Sequence, residues 1–478
     1  MPQGGLRREI GLRSLFTLGF GTIIGVGWIT VLGSLLTSGG SLGAILAFAA
    51  GSLVMVAIGL CYAELASLYA VSGGEVVYTY EMYGPMLSFI AGWFLAFNYI
   101  AVTAFEAISV GWITATLIPG IDGPVLYTVL GQEVRAGSLI LGLGVMAVII
   151  WVNFCGAKSA ALFQDIVTGI LIVTSLIFIL FGLSWGSVEN LPPLFVVDRP
   201  WYWGVLAVFA TTPFWFMGFN IIPQGLGELD ENAKTHLVPR VIIFSVLLAG
   251  LFYCLVILTA AMSLPRDELL SFDLPIVGAF NAAFQSPTIG KIILLAGLCG
   301  LISTWNALFF AATRVVFTLG RARLAPLAFS RIHPRFGSPL VAVLFVGAVA
   351  TLVTLMGRNA ILPIVNTSSS ALAFILLLVV AGVTRLRRRH AERPAPYRVP
   401  ASRFVLPIAT VSAFAMLIAS LYEPLHNTPS GAMPAEWIIL ILWSALGVFI
   451  WWRGSAVRGD ITEAERRQLI LGYTNDKL

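Results

Sequence analysis

The chain has 478 residues, of which 58% are hydrophobic and 11% charged, and its mean hydropathy is +0.92. A soluble domain carries roughly 25% charged residues, so this chain has too few to cover a water-exposed surface, and we predict a polytopic membrane protein. The net charge of +5 comes from basic residues in short hydrophilic gaps, a pattern that argues against nucleic-acid binding. The four cysteines have no paired short spacing, so neither a disulfide framework nor a metal site is indicated.

A helix that crosses the hydrocarbon of a bilayer needs about twenty mainly apolar residues. The sequence contains about twelve such runs, which begin near Leu12, Leu42, Met86, Gly137, Ala160, Trp203, Val238, Ile289, Pro339, Ile361, Phe404 and Trp437. The stretch from Leu264 to Pro287 is too polar and too interrupted to span, and we expect an external loop with short helical pieces there.

The placement of positive charge predicts the orientation of these helices. With the N-terminus in the cytoplasm and twelve spans, 23 of the 28 Lys and Arg residues fall in cytoplasmic segments. Positively charged loops are retained on the cytoplasmic side during insertion. We therefore predict a multi-pass protein of the cell (inner or plasma) membrane with both termini in the cytoplasm. The exceptions outside are Arg135, Arg199, Arg266, Lys291 and Arg358.

The first and sixth spans are predicted to be interrupted. Four glycines fall within Gly19–Gly27 of the first span, and Gly218 stands between Pro213 and Pro223 in the sixth. Glycine and proline loosen or remove intrahelical hydrogen bonds, and the freed groups must find a partner at that depth. Broken helices at matching places in two five-helix halves are the best sequence indication of a transporter site. The alternative for the first span is close helix packing through Gly21 and Gly25, a G-x-x-x-G pair.

Several motifs in this order resemble those of the amino acid–polyamine–organocation permeases. The resemblance runs from about Leu6 to Arg398. The residues that carry it are the Gly21–Gly27 run, Glu64-Leu-Ala with Ser72-Gly-Gly74 and Tyr78, Gly92-Trp93, Phe214-x-Phe216-x-Gly218-Phe219, Glu228 through Pro239-Arg240, and Ser303-Thr304-x-Asn306 with Thr313-Arg314.

The resemblance implies an all-α fold of about twelve transmembrane helices with a leucine-transporter-like 5+5 inverted repeat and two extra helices. The corresponding segments are a cytoplasmic N-terminus (1–11), a first repeat (12–185), a second inverted repeat (200–390), two added helices (402–453) and a cytoplasmic tail (454–478). It also implies a site where the first break binds a carboxylate and the sixth binds an α-amine.

Backbone electrostatics supports that polarity, since amide N–H groups at a half-helix N-terminus favour an anion and freed carbonyls favour a cation. We expect N–H groups of Gly25, Val26 and Gly27 to face the carboxylate, and carbonyls of Phe214, Trp215 and Met217 to face the amine. The candidate substrate-binding residues are Ile24, Gly25, Val26, Gly27, Val102, Glu106, Phe214, Trp215, Met217 and Gly218.

The sequence departs from the family pattern at several positions. Trp28 is bulky where relatives carry an aliphatic residue, Val26 replaces a small polar one, and Glu75 follows the Gly-Gly pair where Pro or Ala is common. The fifth helix lacks the Lys of some proton-coupled relatives between Asp165 and Leu183. These departures leave the substrate and the coupling ion open.

Glu106 lies well inside the apolar third span. Asn98 and Val102 precede it by about two turns and one turn, so Asn98 and Glu106 lie near the same face of the helix. An ionisable residue at that depth is a functional hypothesis by default, and we expect it to read the substrate side chain or to carry a proton. The alternative is a structural hydrogen bond between helices. All four histidines fall in loops, so any titrating group within the membrane must be a carboxyl.

Five further residues are candidates for ion coupling or gating. Ser303 and Thr304 of the eighth span could offer hydroxyls to a cation beside the first break, or bond back to their own helix. Phe214 and Trp215 are predicted to close over a solute, with ordinary packing as the alternative. Glu64 is predicted to form a gate or a helix-end ion pair.

We therefore predict a secondary active transporter of amino acids or related small amines, driven by proton symport in preference to sodium. An exchanger of amino acids or polyamines is the alternative, and a non-transporting sensor is a remote one. The sequence shows no nucleophile–base or metal constellation for a membrane-embedded enzyme. No cofactor or nucleic acid is expected. The expected partners are the bilayer and the substrate, and the chain is expected to be a monomer or a homodimer.

Overall fold

The computed structural model describes residues 6–25, 27–30, 32–118, 120–129, 131–197, 199–272, 274–389, 395–427 and 433–471. The helices of the first half are α1 (Leu12–Ile24), α2 (Gly27–Thr30), α3 (Leu32–Gly39), α4 (Ser41–Leu68), α5 (Gly74–Tyr83), α6 (Pro85–Leu117), α7 (Ala136–Phe154) and α8 (Ala157–Trp185). Those of the second half are α9 (Trp201–Trp215), α10 (Val238–Ser263), α11 (Arg266–Leu270), α12 (Pro275–Phe284), α13 (Pro287–Gly297), α14 (Cys299–Arg321), α15 (Leu340–Thr354), α16 (Ile361–Arg389), α17 (Ser402–Asn427), α18 (Ala435–Arg453), α19 (Ser455–Gly459) and α20 (Glu463–Leu471).

The predicted apolar runs are helical. Among the described residues, nine helices are long and apolar enough to cross a membrane. The first, sixth and ninth runs form shorter helices, namely α1–α3, α9 and α15. The first and sixth runs are shortened because glycine and proline interrupt them. The segment from Leu264 to Pro287 forms the short helices α11 and α12, as expected. A polytopic helical membrane protein is confirmed.

One element was not predicted. Strands β1 (Val125–Val129) and β2 (Gln132–Arg135) form an antiparallel hairpin just before α7. The hairpin turns at Gly131, whose φ of 74° suits a residue without a Cβ. Periodicity over four or five residues in a polar loop is too short to distinguish a strand from a turn.

Burial separates a central group of helices from a peripheral one. Nearly every residue of α14 is buried, and α6 packs along both α14 and α16. By contrast, α7, α17 and α18 are mostly exposed, and their outward positions are large apolar side chains. Apolar surface of this extent is the face that a membrane protein presents to lipid.

The first and last described segments of the chain lie on one face of the molecule, which we call the terminal face. The N-terminal segment joins this face through an isolated parallel bridge between Ile10 and Leu229. The C-terminal helix α20 joins it through Arg467, which donates two hydrogen bonds to Glu81 of α5. The β1–β2 hairpin lies at the opposite end of α6, on what we call the hairpin face.

Candidate functional site

The first predicted break separates α1 from α2. Helix α1 ends at Ile24, and Gly25 follows with a φ of 44°. A Cβ at Gly25 would lie 2.9 Å from Thr304 Oγ1, so both the backbone angle and the space favour glycine. The chain then resumes as α2 from Gly27.

The second predicted break follows α9, which ends at Trp215. Gly218 has a φ of 144°, and the chain continues as a 3-10 segment, Phe219–Glu228, which contains Pro223. A Cβ at Gly218 would lie 2.7 Å from the Ile23 nitrogen, so this glycine lets the second break approach the backbone of the first. The two breaks are therefore in direct contact.

Both breaks face one small cavity between the helices. Its volume is about 30 Å³. It is lined by Thr22, Ile23, Ile24, Gly25, Val102, Phe105, Glu106, Trp215, Met217, Tyr253, Thr304 and Leu308. A cavity needs about 10–15 Å³ of such volume to hold one water, so this closed form has no room for an amino acid.

Two hydroxyl groups satisfy the carbonyls freed at the end of α1. Thr304 Oγ1 lies 3.1 and 3.2 Å from the Gly21 and Thr22 carbonyl oxygens. Tyr253 Oη lies 3.1 and 3.0 Å from those of Ile23 and Ile24. Because buried carbonyls are costly without a donor, these contacts explain how the helix can end in the apolar interior.

Glu106 reaches the same cavity from α6. Its side chain is buried, and its Oε2 has no hydrogen-bond partner within the part of the chain that the structure describes. An unpaired buried carboxylate is strongly disfavoured, so this closed form favours the neutral acid. Asn98, two turns earlier, instead donates to the Ser368 hydroxyl and carbonyl of α16.

A side-chain amide lies beside the Ser303 hydroxyl, where the sequence predicts a possible cation site next to the first break. Gln164 Nε2 of α8 lies 3.1 Å from the Thr17 carbonyl oxygen and 2.7 Å from Ser303 Oγ. Ser303 Oγ also lies 2.7 Å from Thr168 Oγ1, and Asn306 Nδ2 donates to the Gln164 carbonyl oxygen. The amide thus already binds one oxygen of α1 and the Ser303 hydroxyl of α14, two of the oxygens that a cation here would use.

A family model described as amino acid permease matches residues 10–444. The chain belongs to this family. Curated relatives of the permease include a branched-chain amino acid permease of Bacillus subtilis (28% identical over 83% of this chain and 84% of the relative) and a methylthioribose transporter of the same organism (25%, 93% of each). A serine/threonine exchanger of Bacillus subtilis is 24% identical over 88% of this chain and 92% of the relative. These relatives are transporters rather than enzymes, and so is the permease.

The predicted site residues of the permease do not all meet in the cavity. Those that line it are Ile24, Gly25, Val102, Glu106, Trp215, Met217 and Thr304. Gly218 packs behind it, against α1, and Ser303 faces Gln164. Val26 lies outside the described residues, as does the side chain of Phe214, and Gly27 begins α2.

Glu64 lies far from the cavity, in an ion pair at the terminal face. Its two oxygens accept from Arg387 of α16 at 2.7 and 2.6 Å, and the Val399 N–H donates to one of them at 2.8 Å. A second pair, Glu228 with Arg314, is completely buried, with N–O distances of 2.9 and 3.0 Å. Together these contacts close the terminal face below the cavity.

The hairpin side of the cavity is closed by aromatic packing. Trp28, the residue that departs from the family pattern, is buried with its ring centroid 5.9 Å from Phe252 of α10 and 6.0 Å from Phe280 of α12. A bulky ring after the first break therefore fills space between the cavity and the short helix α12.

Sequence reasoning missed three functional candidates: Tyr253, Gln164 and Glu75. Each is a polar residue in or beside an apolar run, which is the signal that identified Glu106. For Tyr253 and Gln164, an amphipathic side chain within a span was a weaker signal than a carboxyl. Their partners lie more than 130 residues away, so only packing reveals them.

Proposed function

We propose that the permease moves an α-amino acid or a related small amine across the cell membrane by alternating access, with the terminal face in the cytoplasm. The observation that carries this proposal is the meeting of two helix breaks and Glu106 at one small cavity. The cavity is too small for substrate, so loading requires the helices around it to separate. A two-state rearrangement about a central site is what alternating access needs.

We further propose that the helices are organised as the sequence indicated. Residues 12–185 and 200–390 would form two inverted five-helix repeats, with 402–453 outside them. The contact between the α1 and α9 breaks supports this arrangement, since these helices would be the first of each repeat. The peripheral position of α17 and α18 supports their being additions to the core.

The occupied carbonyls of α1 support the proposed orientation of substrate. The Thr304 and Tyr253 hydroxyls each lie within hydrogen-bond distance of two of them and donate one proton within each pair, so these carbonyls are already engaged and offer less to an ammonium. The N–H groups beyond the break, at residues 25–27, then suit a carboxylate, and the carbonyls at the end of α9 suit the amine. Val102, Phe105 and Leu308 would contact an apolar substrate side chain.

Proton coupling is the form of energisation that the site supports best. Glu106 is a buried carboxyl at the cavity whose Oε2 has no partner among the described residues, so it can bind and release a proton as the cavity opens to water. Sodium is disfavoured because the Gln164 amide fills the oxygen cluster between α1 and α14. Exchange is the second candidate, since one curated relative is a serine/threonine exchanger.

Transport by the purified permease in proteoliposomes tests this proposal. We expect saturable uptake of one or more labelled amino acids, stimulated by an inward pH gradient and unaffected by a sodium gradient at equal pH. The panel should include neutral and cationic amino acids, polyamines and methylthioribose. Stimulation by internal amino acid without a pH response would instead establish exchange, and saturable binding without flux would establish a sensor.

A further inference from the structure

Glu75, at the start of α5, is a buried carboxyl that the proposed mechanism leaves unused. Its side chain is fully buried. Tyr62 Oη and Asn220 Nδ2 each lie 3.1 Å from its Oε1, and Gln224 Nε2 donates to its Oε2. Since Tyr62 belongs to α4 and both amides belong to the 3-10 segment after the second break, this one carboxyl joins three elements.

The contact with Asn220 connects Glu75 to the second helix break. Asn220 Oδ1 accepts from the Gly218 N–H at 3.3 Å, and its Nδ2 lies 2.8 Å from Tyr99 Oη of α6. The Gly218 contact fixes the orientation of the amide, so Nδ2 must face Glu75. Met217, the neighbour of Gly218, lines the central cavity. Glu75 is therefore connected to the cavity through the Asn220 side chain and the backbone of Gly218 and Met217.

The surroundings of Glu75 provide hydrogen-bond donors but no opposite charge. The titratable groups that face it are the phenols of Tyr62, Tyr78 and Tyr99. Charged side chains on the other packed elements have different partners: Arg314 binds Glu228, Arg321 binds the Ser72 and Ile470 carbonyls, Arg387 binds Glu64, and Arg389 binds the Glu81 carbonyl. Burial without a cation raises the pKa of Glu75 to about 7, although the three donors oppose the shift.

Both protonation states of Glu75 can be accommodated. As a carboxylate it accepts from the three donors. The Gln224 carbonyl oxygen is buried and has no partner within the described part of the chain, so the amide can turn and accept an O–H from the protonated acid. The site therefore resembles a proton-binding site more than a fixed structural contact.

We propose that Glu75 is a proton-binding site that controls whether the 3-10 segment stays docked on α4 and α5, and so whether the terminal face opens. The inference rests on the proposed alternating-access function and adds a second titrating group, remote from Glu106. The motif that places Glu75 here, after Gly73–Gly74, is the departure from the family pattern noted in the sequence.

The direction of the effect follows from linkage. In the closed form the pKa of Glu75 is about 7, whereas a hydrated glutamate in the open form has a pKa of about 4.3. The closed form binds the proton more tightly, so protonation stabilises closure. That stabilisation is complete below the hydrated pKa and is lost as the pH rises through 7. Between pH 5.5 and pH 8, the closed-to-open equilibrium should fall roughly 10- to 30-fold.

The thiol of Cys61 provides a reporter of opening that needs no substrate. It precedes Tyr62 on α4 and is fully buried in the closed form. Replacing Cys155, Cys254 and Cys299 by serine leaves it as the one thiol of the 478-residue chain. Alkylation by N-ethylmaleimide is measured by mass spectrometry from pH 5.5 to 8, with and without Glu75→Gln, which mimics the protonated acid.

Each Cys61 alkylation rate is divided by the rate measured for the Glu75→Gln protein at the same pH. This ratio cancels the pH dependence that comes from ionisation of the thiol itself. Because pH 5.5 already lies above the hydrated pKa of about 4.3, we expect this ratio to exceed 1 there and to rise about 10- to 30-fold further by pH 8. Tyr62→Phe removes a donor to the carboxylate, so the midpoint of the rise should move to higher pH. Glu81→Gln, in the same helix but ion-paired with Arg467, should leave the midpoint unchanged.

A ratio that stays constant from pH 5.5 to 8 in proteins that elute as folded monodisperse species would overturn the proposal. So would a Tyr62→Phe midpoint equal to that of the reference protein. Uptake into proteoliposomes is measured separately. Absence of any amino acid flux with a pH-dependent Cys61 ratio would contradict the transport function while leaving proton control of the terminal face supported.

Discussion

Two buried glutamates show how the environment of a carboxyl determines its role. Glu106 faces a cavity lined mainly by apolar side chains, and its Oε2 has no partner among the described residues. Glu75 is equally buried but accepts from three neutral donors. The first environment favours the neutral acid, and the second is compatible with either state.

Replacement of Glu106 by glutamine tests its coupling role. The change keeps the shape of the side chain and removes its ability to titrate. We expect loss of accumulation driven by a pH gradient, by more than about tenfold, with exchange of internal for external substrate retained. The measurement is uptake in proteoliposomes with and without the gradient, with Glu133→Gln on the exposed hairpin as the matched control.

Two other outcomes for Glu106→Gln are informative. Loss of binding for cationic solutes with neutral ones spared would assign the residue to specificity, because a carboxylate pairs with a substrate ammonium. Wild-type rate and pH dependence for every substrate would make Glu106 a structural residue and remove both functional roles.

At the scale of the element, glycine permits the interruptions that form the site. Gly25 and Gly218 both have positive φ values, and each lies against a neighbouring element without room for a Cβ. Side chains at these positions would add backbone strain of roughly 1–3 kcal/mol and separate the two breaks. The helices end where they do because Thr304 and Tyr253 can satisfy the freed carbonyls.

Gly25→Leu is expected to abolish substrate binding while leaving the protein inserted and folded. The new side chain would displace Thr304 Oγ1 and fill the space in which substrate approaches the backbone. Binding is measured by thermal stabilisation with the transported amino acid, and folding by size-exclusion chromatography. The control is Gly144→Leu in α7, where a Cβ meets nothing within 4 Å. Full binding by a folded Gly25→Leu protein would refute the site assignment.

At the scale of the whole molecule, the terminal face is closed by contacts between segments distant in the chain. The Glu228–Arg314 pair joins the 3-10 segment to α14 and is almost completely inaccessible to solvent, with side chains 1% and 0% exposed. Phe310 lies under the guanidinium, 3.6 Å from ring centroid to Cζ. Breaking a pair of this kind leaves an uncompensated buried charge.

We therefore expect Glu228→Gln to destabilise the permease by about 3–5 kcal/mol. A lower midpoint of thermal unfolding, followed by tryptophan fluorescence in detergent, is the measurement. The matched control is Glu231→Gln, which removes the partner of Arg8 in an exposed pair with side chains 77% and 51% exposed. Loss of that pair should cost less than about 1 kcal/mol. Equal midpoints for the two variants would contradict the account of a sealed terminal face.

The sequence by itself determined the membrane class, the helical runs, the two breaks and the unusual Glu106. These properties are local: a bilayer requires about twenty apolar residues per span, and glycine or proline interrupts the helix in which it occurs. The predicted proximity of the two breaks also has support in the structure, where Gly218 lies against the backbone at Ile23.

Only the tertiary structure decided which polar groups meet. Gln164 bonds to Ser303, Tyr253 to the end of α1, and Glu75 to Asn220, across separations of 139 to 230 residues. In an apolar interior every polar group needs a partner, but many partners are chemically equivalent, so the choice among them depends on how the helices pack. The sequence marks these residues as costly to bury, and packing determines what each of them does.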